Sequence, residues 1–174
     1  MGIKEIENIV VNENLSEREL LELYKSYLIL RQKELSIVPD YNIDYNYYVN
    51  SYFTNCYAYS LRLDIPEYFN EKYSLLTGYY FSFVPGVFSN KSYPNNMKSL
   101  IDNTLSDLES LKIKLNYELV LLQELKNYNG SKDFHFIRKN ICGNYSSKIG
   151  MSSYIPKTSY IDILDGYELV KILK

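Results

Sequence analysis

Two apolar runs, ELVLLQE and DFHFIRK, flank an Asn129–Gly130 pair, and together they dictate an antiparallel hairpin. Asn-Gly favours positive φ at both positions, which is what tight antiparallel connections need. The first run, inside NYELVLLQELK, reads as a strand with an apolar run and is therefore largely buried. In the second, a period of two puts Phe134, Phe136 and Arg138 on one face and His135, Ile137 and Lys139 on the other.

Upstream the period is helical. NLSERELLELYKSYLILRQKEL opens with Ser16 and Glu19 in capping-box spacing and Leu15 and Leu20 in staple spacing. Leu20, Leu23, Tyr24, Tyr27, Leu28, Arg31 and Leu35 then recur on one stripe, and Pro39 stops the helix. DYNIDYNYYVNS reads as an irregular, turn-rich approach to a short helix over Asn55–Leu63. GYYFSFVPG has strand-like content before a Pro85–Gly86 turn. NNMKSLIDNTLSDLESL is a further helix with Met97, Leu100, Ile101, Leu105, Leu108 and Leu111 on its core stripe. The C-terminal TSYIDILDGYELVKILK closes the chain with one or two strands or a short helix, broken at Asp165–Gly166. Helices followed by antiparallel strands make an α+β fold, with N-terminal helices packed on a C-terminal antiparallel sheet. At 174 residues the chain fits one domain, with 1–50 as a helical segment and 51–174 as the core that would hold a site.

Charge and composition narrow the function classes. A net charge of −2 lacks the basic stripe of nucleic-acid proteins. No run is long and apolar enough to span a membrane, and the charged N-terminus MGIKEIENIVV does not read as a signal peptide. The expectation is a cytoplasmic protein with no cofactor and no metal. Two cysteines and one histidine fall short of four zinc ligands without carboxylate help. The twenty tyrosines, with no tryptophan, have two readings: AT-rich codon usage or a tyrosine-rich binding face.

The segment TNCYAYSLRLDIP sets Cys56 at a helix start behind Asn55, a preferred N-cap residue. A helix start and a nearby imidazolium both favour a thiolate. His135, the single histidine, could supply the imidazole from its strand. Backbone N–H groups at the helix start, with Asn55, could form an oxyanion hole. A hairpin at Ile141–Cys142–Gly143 would carry a residue of the Ser146–Ile149 range beside His135, which makes Ser146, Ser147 and Lys148 candidates for its orienting partner. Asp162 and Asp165 are alternative orienters, though carboxylates beside Gly166 also suit a turn. Against this chemistry stands a plainer view: an isolated cysteine is most often a small buried hydrophobe, and a strand histidine is most often structural. Cys142, in a turn, carries no helix-start context.

The ordered motifs NCYAYSL, PG, DFHFIRKN and GNYSSKIG resemble a bacterial and phage group whose members carry NCYAYAL, PG, DYHWYRQ and WSHKPG over the stretch that corresponds to Asn55–Gly150. The resemblance implies a papain-like cysteine hydrolase akin to NlpC-type endopeptidases, with Cys56 as nucleophile, His135 as base and Asn55 ahead of the nucleophile. Ser147 stands where the group has a second histidine, and Tyr145 where it has tryptophan. The first expectation is therefore a peptidase or amidase acting on an intracellular peptide or protein, with Ser147 or Asp162 orienting His135. The second is a non-catalytic binding protein on the same scaffold, such as a phage- or mobile-element-encoded inhibitor of a host factor.

Overall fold

The computed structural model describes residues 1–35, 55–63, 65–78, 83–127, 129–140, 142–149 and 156–174. Its helices are α1 (Ile3–Asn12), α2 (Glu17–Leu35), α3 (Cys56–Ser60), α4 (Glu67–Thr77) and α5 (Met97–Ser110), with a 3-10 turn at Val87–Ser89. Its strands are β1 (Leu119–Glu124), β2 (Phe134–Lys139), β3 (Tyr145–Ser146), β4 (Lys157–Thr158) and β5 (Tyr167–Leu173). All pairings are antiparallel, in the order β4-β3-β2-β1-β5. Helices then sheet is the expected α+β arrangement. The tyrosine-rich DYNIDYNYYVNS segment and Pro39 lie outside the described residues.

α2 begins as its sequence dictates. The Ser16 Oγ accepts the Glu19 N–H at 3.1 Å and donates to the Glu19 carboxylate at 3.0 Å. Leu15 and Leu20 are both buried, as a hydrophobic staple requires. Tyr24 stacks on Phe83 at 5.4 Å and meets the edge of Phe69 at 5.0 Å, which ties α2 to α4 and the 83–90 loop. α1, α2 and α4 pack on one another, and their apolar faces share one core with α3, α5 and the sheet. Ser16→Ala should cost about 1 kcal/mol by urea denaturation, since only the cap is lost.

β1 is the middle of the core. Leu119 and Leu121 face the helices, while Val120 and Leu122 face a smaller cluster with Ile137, Tyr145, Tyr167 and Ile172. This explains the uninterrupted apolar run. The hairpin corner is as expected, with φ of 51° at Asn129 and 83° at Gly130.

Three expectations need correction. The helix expected over Asn55–Leu63 is only Cys56–Ser60, closed by a tight turn in which the Arg62 N–H reaches the Tyr59 carbonyl and the Leu63 N–H reaches that of Ala58. Phe83 and Val84 form no strand, and residues 79–82 lie outside the described residues. On α5, Met97 and Leu105 are exposed, and the buried face takes in Asn103, Thr104 and Asp107 beside Leu100 and Leu108. An apolar stripe missed that face because its polar residues are buried by their hydrogen bonds.

Candidate functional site

α3 starts where Asn55 can cap it. The Asn55 Oδ1 accepts the Ala58 N–H at 2.9 Å, and its Nδ2 donates to the Phe83 carbonyl at 2.7 Å. The amide thus clamps the helix start to the loop that leads into Pro85–Gly86, rather than standing open over an oxyanion site. Tyr57, two residues along, donates its hydroxyl to Asp107 at 2.8 Å. Asp107 also accepts the Gly86 N–H at 2.7 Å, and the Ser89 N–H and hydroxyl at 2.9 and 2.7 Å. Gly86 has φ of 105°, and a Cβ there would lie 2.7 Å from the Asn103 amide nitrogen. Only glycine meets both demands. Much of the NCYAY and PG motifs therefore builds a frame around Asp107. Sequence reasoning missed Asp107, since a carboxylate inside an amphipathic helix gives no signal of its buried donors.

Cys56 is the first residue of α3 and is 6% exposed. Burial pushes its thiol up to about 12, against backbone hydrogen bonding from Phe136, Tyr57 and Cys56 itself; the Asp133 charge pushes it further up. A five-residue helix has too little dipole to reverse this. At neutral pH the group is a thiol. Both cysteines are free, and Cys142 is exposed.

His135 lies on β2, across from Leu122 of β1, and is 4% exposed. Burial pushes its imidazole down to about 4, opposed by the Asp133 charge. Its ring meets Tyr167 edge-on at 6.4 Å, and its Nε2 has no hydrogen-bond partner among the described residues.

The strand period separates the two. Phe134, Phe136 and Arg138 point toward α3: Tyr57 and Phe136 rings lie 4.8 Å apart, and the Arg138 guanidinium sits 4.5 Å over the Tyr59 ring. Cys56 belongs to that face. His135 alternates to the other face, with Leu122, Ile137 and Tyr167. The alternation puts the imidazole on the face away from α3, while Cys56 belongs to the α3 face, where its thiol meets the Phe136 backbone N–H.

β3 completes the picture. Arg138 pairs with Ser146, whose hydroxyl lies 2.9 Å from the Tyr59 hydroxyl, so Ser146 faces α3. β3 ends at Ser146, and beyond it the Ser147 N–H reaches the Pro156 carbonyl at 3.4 Å. Ser147 borders a small cavity with Ile137, Tyr145 and Asp162. Lys148 is buried, and burial brings its ammonium down to about 8, with the Cys56 charge opposing. It turns toward the thiol's side, not the histidine's. Asp162 and Asp165 are exposed. Arg138, Asn140, Ser146 and Tyr59 form one buried network: the Arg138 Nε donates to the Asn140 Oδ1 at 3.3 Å, its Nη1 to the Tyr59 carbonyl at 3.3 Å, and the Asn140 Nδ2 to the Ser146 hydroxyl at 3.0 Å.

A cleft of about 640 Å³ opens elsewhere, at the end of the sheet where β1 begins and β2 and β5 end, walled by Arg62, Tyr117, Glu118, Lys139, Asn140 and Lys174. Among the described residues, no group of three or more His, Cys, Asp or Glu side chains could hold a metal ion. Nor is any described helix long and apolar enough to cross a membrane. Compared with protein-family models, curated proteins and solved structures, the chain matches none.

Proposed function

We propose that this chain is a non-catalytic binding protein on a papain-like layout, in which a cysteine-start helix rests on an antiparallel sheet, and that it acts by occupying a peptide or protein target. The observation that carries this reading is the placement of Cys56 and His135 on opposite faces of the sheet, both buried. Acyl transfer needs a nucleophile within hydrogen-bond reach of its base, open to substrate. Here the protonation states add to the geometry: the thiol keeps its proton to about 12 and the imidazole refuses one down to about 4. A working pair is shifted the other way, toward thiolate and imidazolium. The cysteine then serves as a small side chain packed under Phe136, and the buried polar groups around it serve the fold.

Iodoacetamide labelling of the folded protein at pH 7.5, read by mass spectrometry, tests this. Exposed Cys142 is the internal reference. Cys56 should label at least about 10³-fold more slowly, because both thiolate fraction and access are low. Labelling of Cys56 as fast as Cys142, or faster, would reinstate the hydrolase.

A further inference from the structure

The two faces of the sheet are covered unequally. On the face away from α3 the buried apolar residues are Val120, Leu122 and Ile137, with Tyr145, Ile161, Tyr167 and Ile172 packed partly buried against them. Residues 159–165 join β4 to β5 across this face. Ser159, Tyr160, Asp162, Ile163 and Asp165 are exposed, and only Ile161 and Leu164 are half-buried. Ile161 packs on the Val120, Leu122 and Ile137 cluster, and Leu164 borders the small cavity beside Ile137 and Tyr145. The hydrogen bonds of the segment are local. The Thr158 hydroxyl donates to the Tyr160 carbonyl at 2.5 Å, and the Tyr167 N–H to the Leu164 carbonyl at 3.0 Å. Two half-buried apolar side chains and short-range bonds make a unit of low local stability, able to open while the rest stays folded.

We propose that residues 159–166 form an acid-released strap: a proton on His135 lifts them from the outer face of the sheet and uncovers Val120, Leu122 and Ile137. The strap lies on the face away from α3, so its release is independent of what the chain binds. His135 stands on that face between Leu122, its cross-strand partner, and Ile137, two residues along β2. It is buried, and its Nε2 has no hydrogen-bond partner among the described residues. A protonated ring there carries a donor without an acceptor, and it must reach water. β2 cannot move to let water in, because its other face is held under α3 by Tyr57 on Phe136 and Arg138 on Tyr59. The strap is the route that breaks the fewest contacts. Charged and titratable groups on this face do not remove the need. On β2, Asp133 favours the proton, but its carboxylate already accepts the Tyr167 hydroxyl at 2.8 Å, and Lys139 lies 3.9 Å from Glu118. On β1, Glu124 accepts the Asp133 N–H at 3.1 Å. On β3, the Tyr145 hydroxyl donates to Glu118 at 2.9 Å, and on β5 Tyr167 meets the imidazole edge-on. On the strap, Asp162 borders the cavity by Ile137, and Asp165 is exposed. None of them gives the Nε2 an acceptor. Burial holds the ring neutral down to about 4, against about 6.5 once water reaches it. Opening therefore takes up a proton, and the closed form loses ground as pH falls through that window.

Amide hydrogen exchange of the full chain, followed by NMR between pH 6.5 and 4 and corrected for intrinsic rates, tests the strap. Two amides report it: the Tyr167 N–H, bonded to the Leu164 carbonyl, and the Leu125 N–H, bonded to the Gly166 carbonyl. Amides in the middle of α5 report unfolding of the whole chain. Both strap amides should be less protected than those of α5 at every pH, and their protection should fall about 10²-fold from pH 6.5 to 4. His135→Leu keeps every carboxylate and removes the imidazole, so the fall should shrink to less than about threefold. Ile161→Ala should speed exchange of both strap amides at least about tenfold at pH 6.5 and keep the acid response, because the opening breaks the Ile161 contact. Strap amides that exchange only together with α5, an acid response as large in His135→Leu as in the parent, no acid response in the parent, or strap exchange indifferent to Ile161→Ala would each overturn the assignment.

Discussion

Asp107→Ala should lower the unfolding free energy by about 4 kcal/mol, measured by urea denaturation with an unchanged m-value. Four donors converge on this carboxylate: the Tyr57 hydroxyl, the Gly86 N–H, and both the N–H and the hydroxyl of Ser89. Alanine leaves Tyr57, fully buried, and the Gly86 N–H without an acceptor, and a buried orphan donor costs about 1–3 kcal/mol. The charge itself is not what stabilises, since burial pushes the carboxyl upward and the four donors only pull it back. The loss therefore comes from the abandoned donors. Asp107→Asn keeps one acceptor oxygen but turns an amide NH₂ toward groups that also donate, so it should recover less than half of the loss. A cost under about 1 kcal/mol for Asp107→Ala would mean that the 86–89 loop detaches without consequence, and the frame described here would be wrong.

What could be read from the chain in advance follows from where the information sits. The capped start of α2 and the turn at Asn129–Gly130 depend on neighbours in sequence, and both formed as expected. The alternation along β2 was also plain, with Phe134, Phe136 and Arg138 on one face. Which face meets α3 is a tertiary fact, set by Tyr57 packing on Phe136 and Arg138 on Tyr59. A motif carrying cysteine, then histidine, suggests a pair, while the strand's own period turns His135 to the face away from α3. The polar residues of α5 were unreadable for a related reason. Asn103 and Asp107 look like a solvated face until the 85–92 backbone is brought to them, where the Asn103 amide donates to the carbonyls of Pro85 and Ser92. The cleft could not be foreseen either, since Arg62, Lys139 and Lys174 stand far apart in the chain and meet only through strand order.

Lowering the pH from 6.5 to 4 should remove about 3 kcal/mol of stability through His135 alone, seen as the difference between the parent protein and His135→Leu. The imidazole titrates near 6.5 in the unfolded chain and at about 4 when folded. Between those values the unfolded state takes up a proton that the native state refuses, so stability rises with pH across that window and is lost as acid is added. Below about 4 both states are protonated and the loss is complete. The cause is burial among Leu122, Ile137 and Tyr167; Asp133 opposes it, but its carboxylate already accepts the Tyr167 hydroxyl at 2.8 Å. Carboxylates elsewhere titrate in the same range, and subtracting the His135→Leu profile cancels them. The sign of the difference carries more than its size. An imidazole whose pKa was raised instead would contribute stability that is fully present below pH 6.5 and lost as pH rises through the raised value. A steeper acid loss in the parent than in the variant thus marks an imidazole held neutral by burial. A parent profile with no steeper acid loss than the variant's, or with an advantage that shrinks as pH rises above 6.5, would mark an imidazole that is not held neutral by burial.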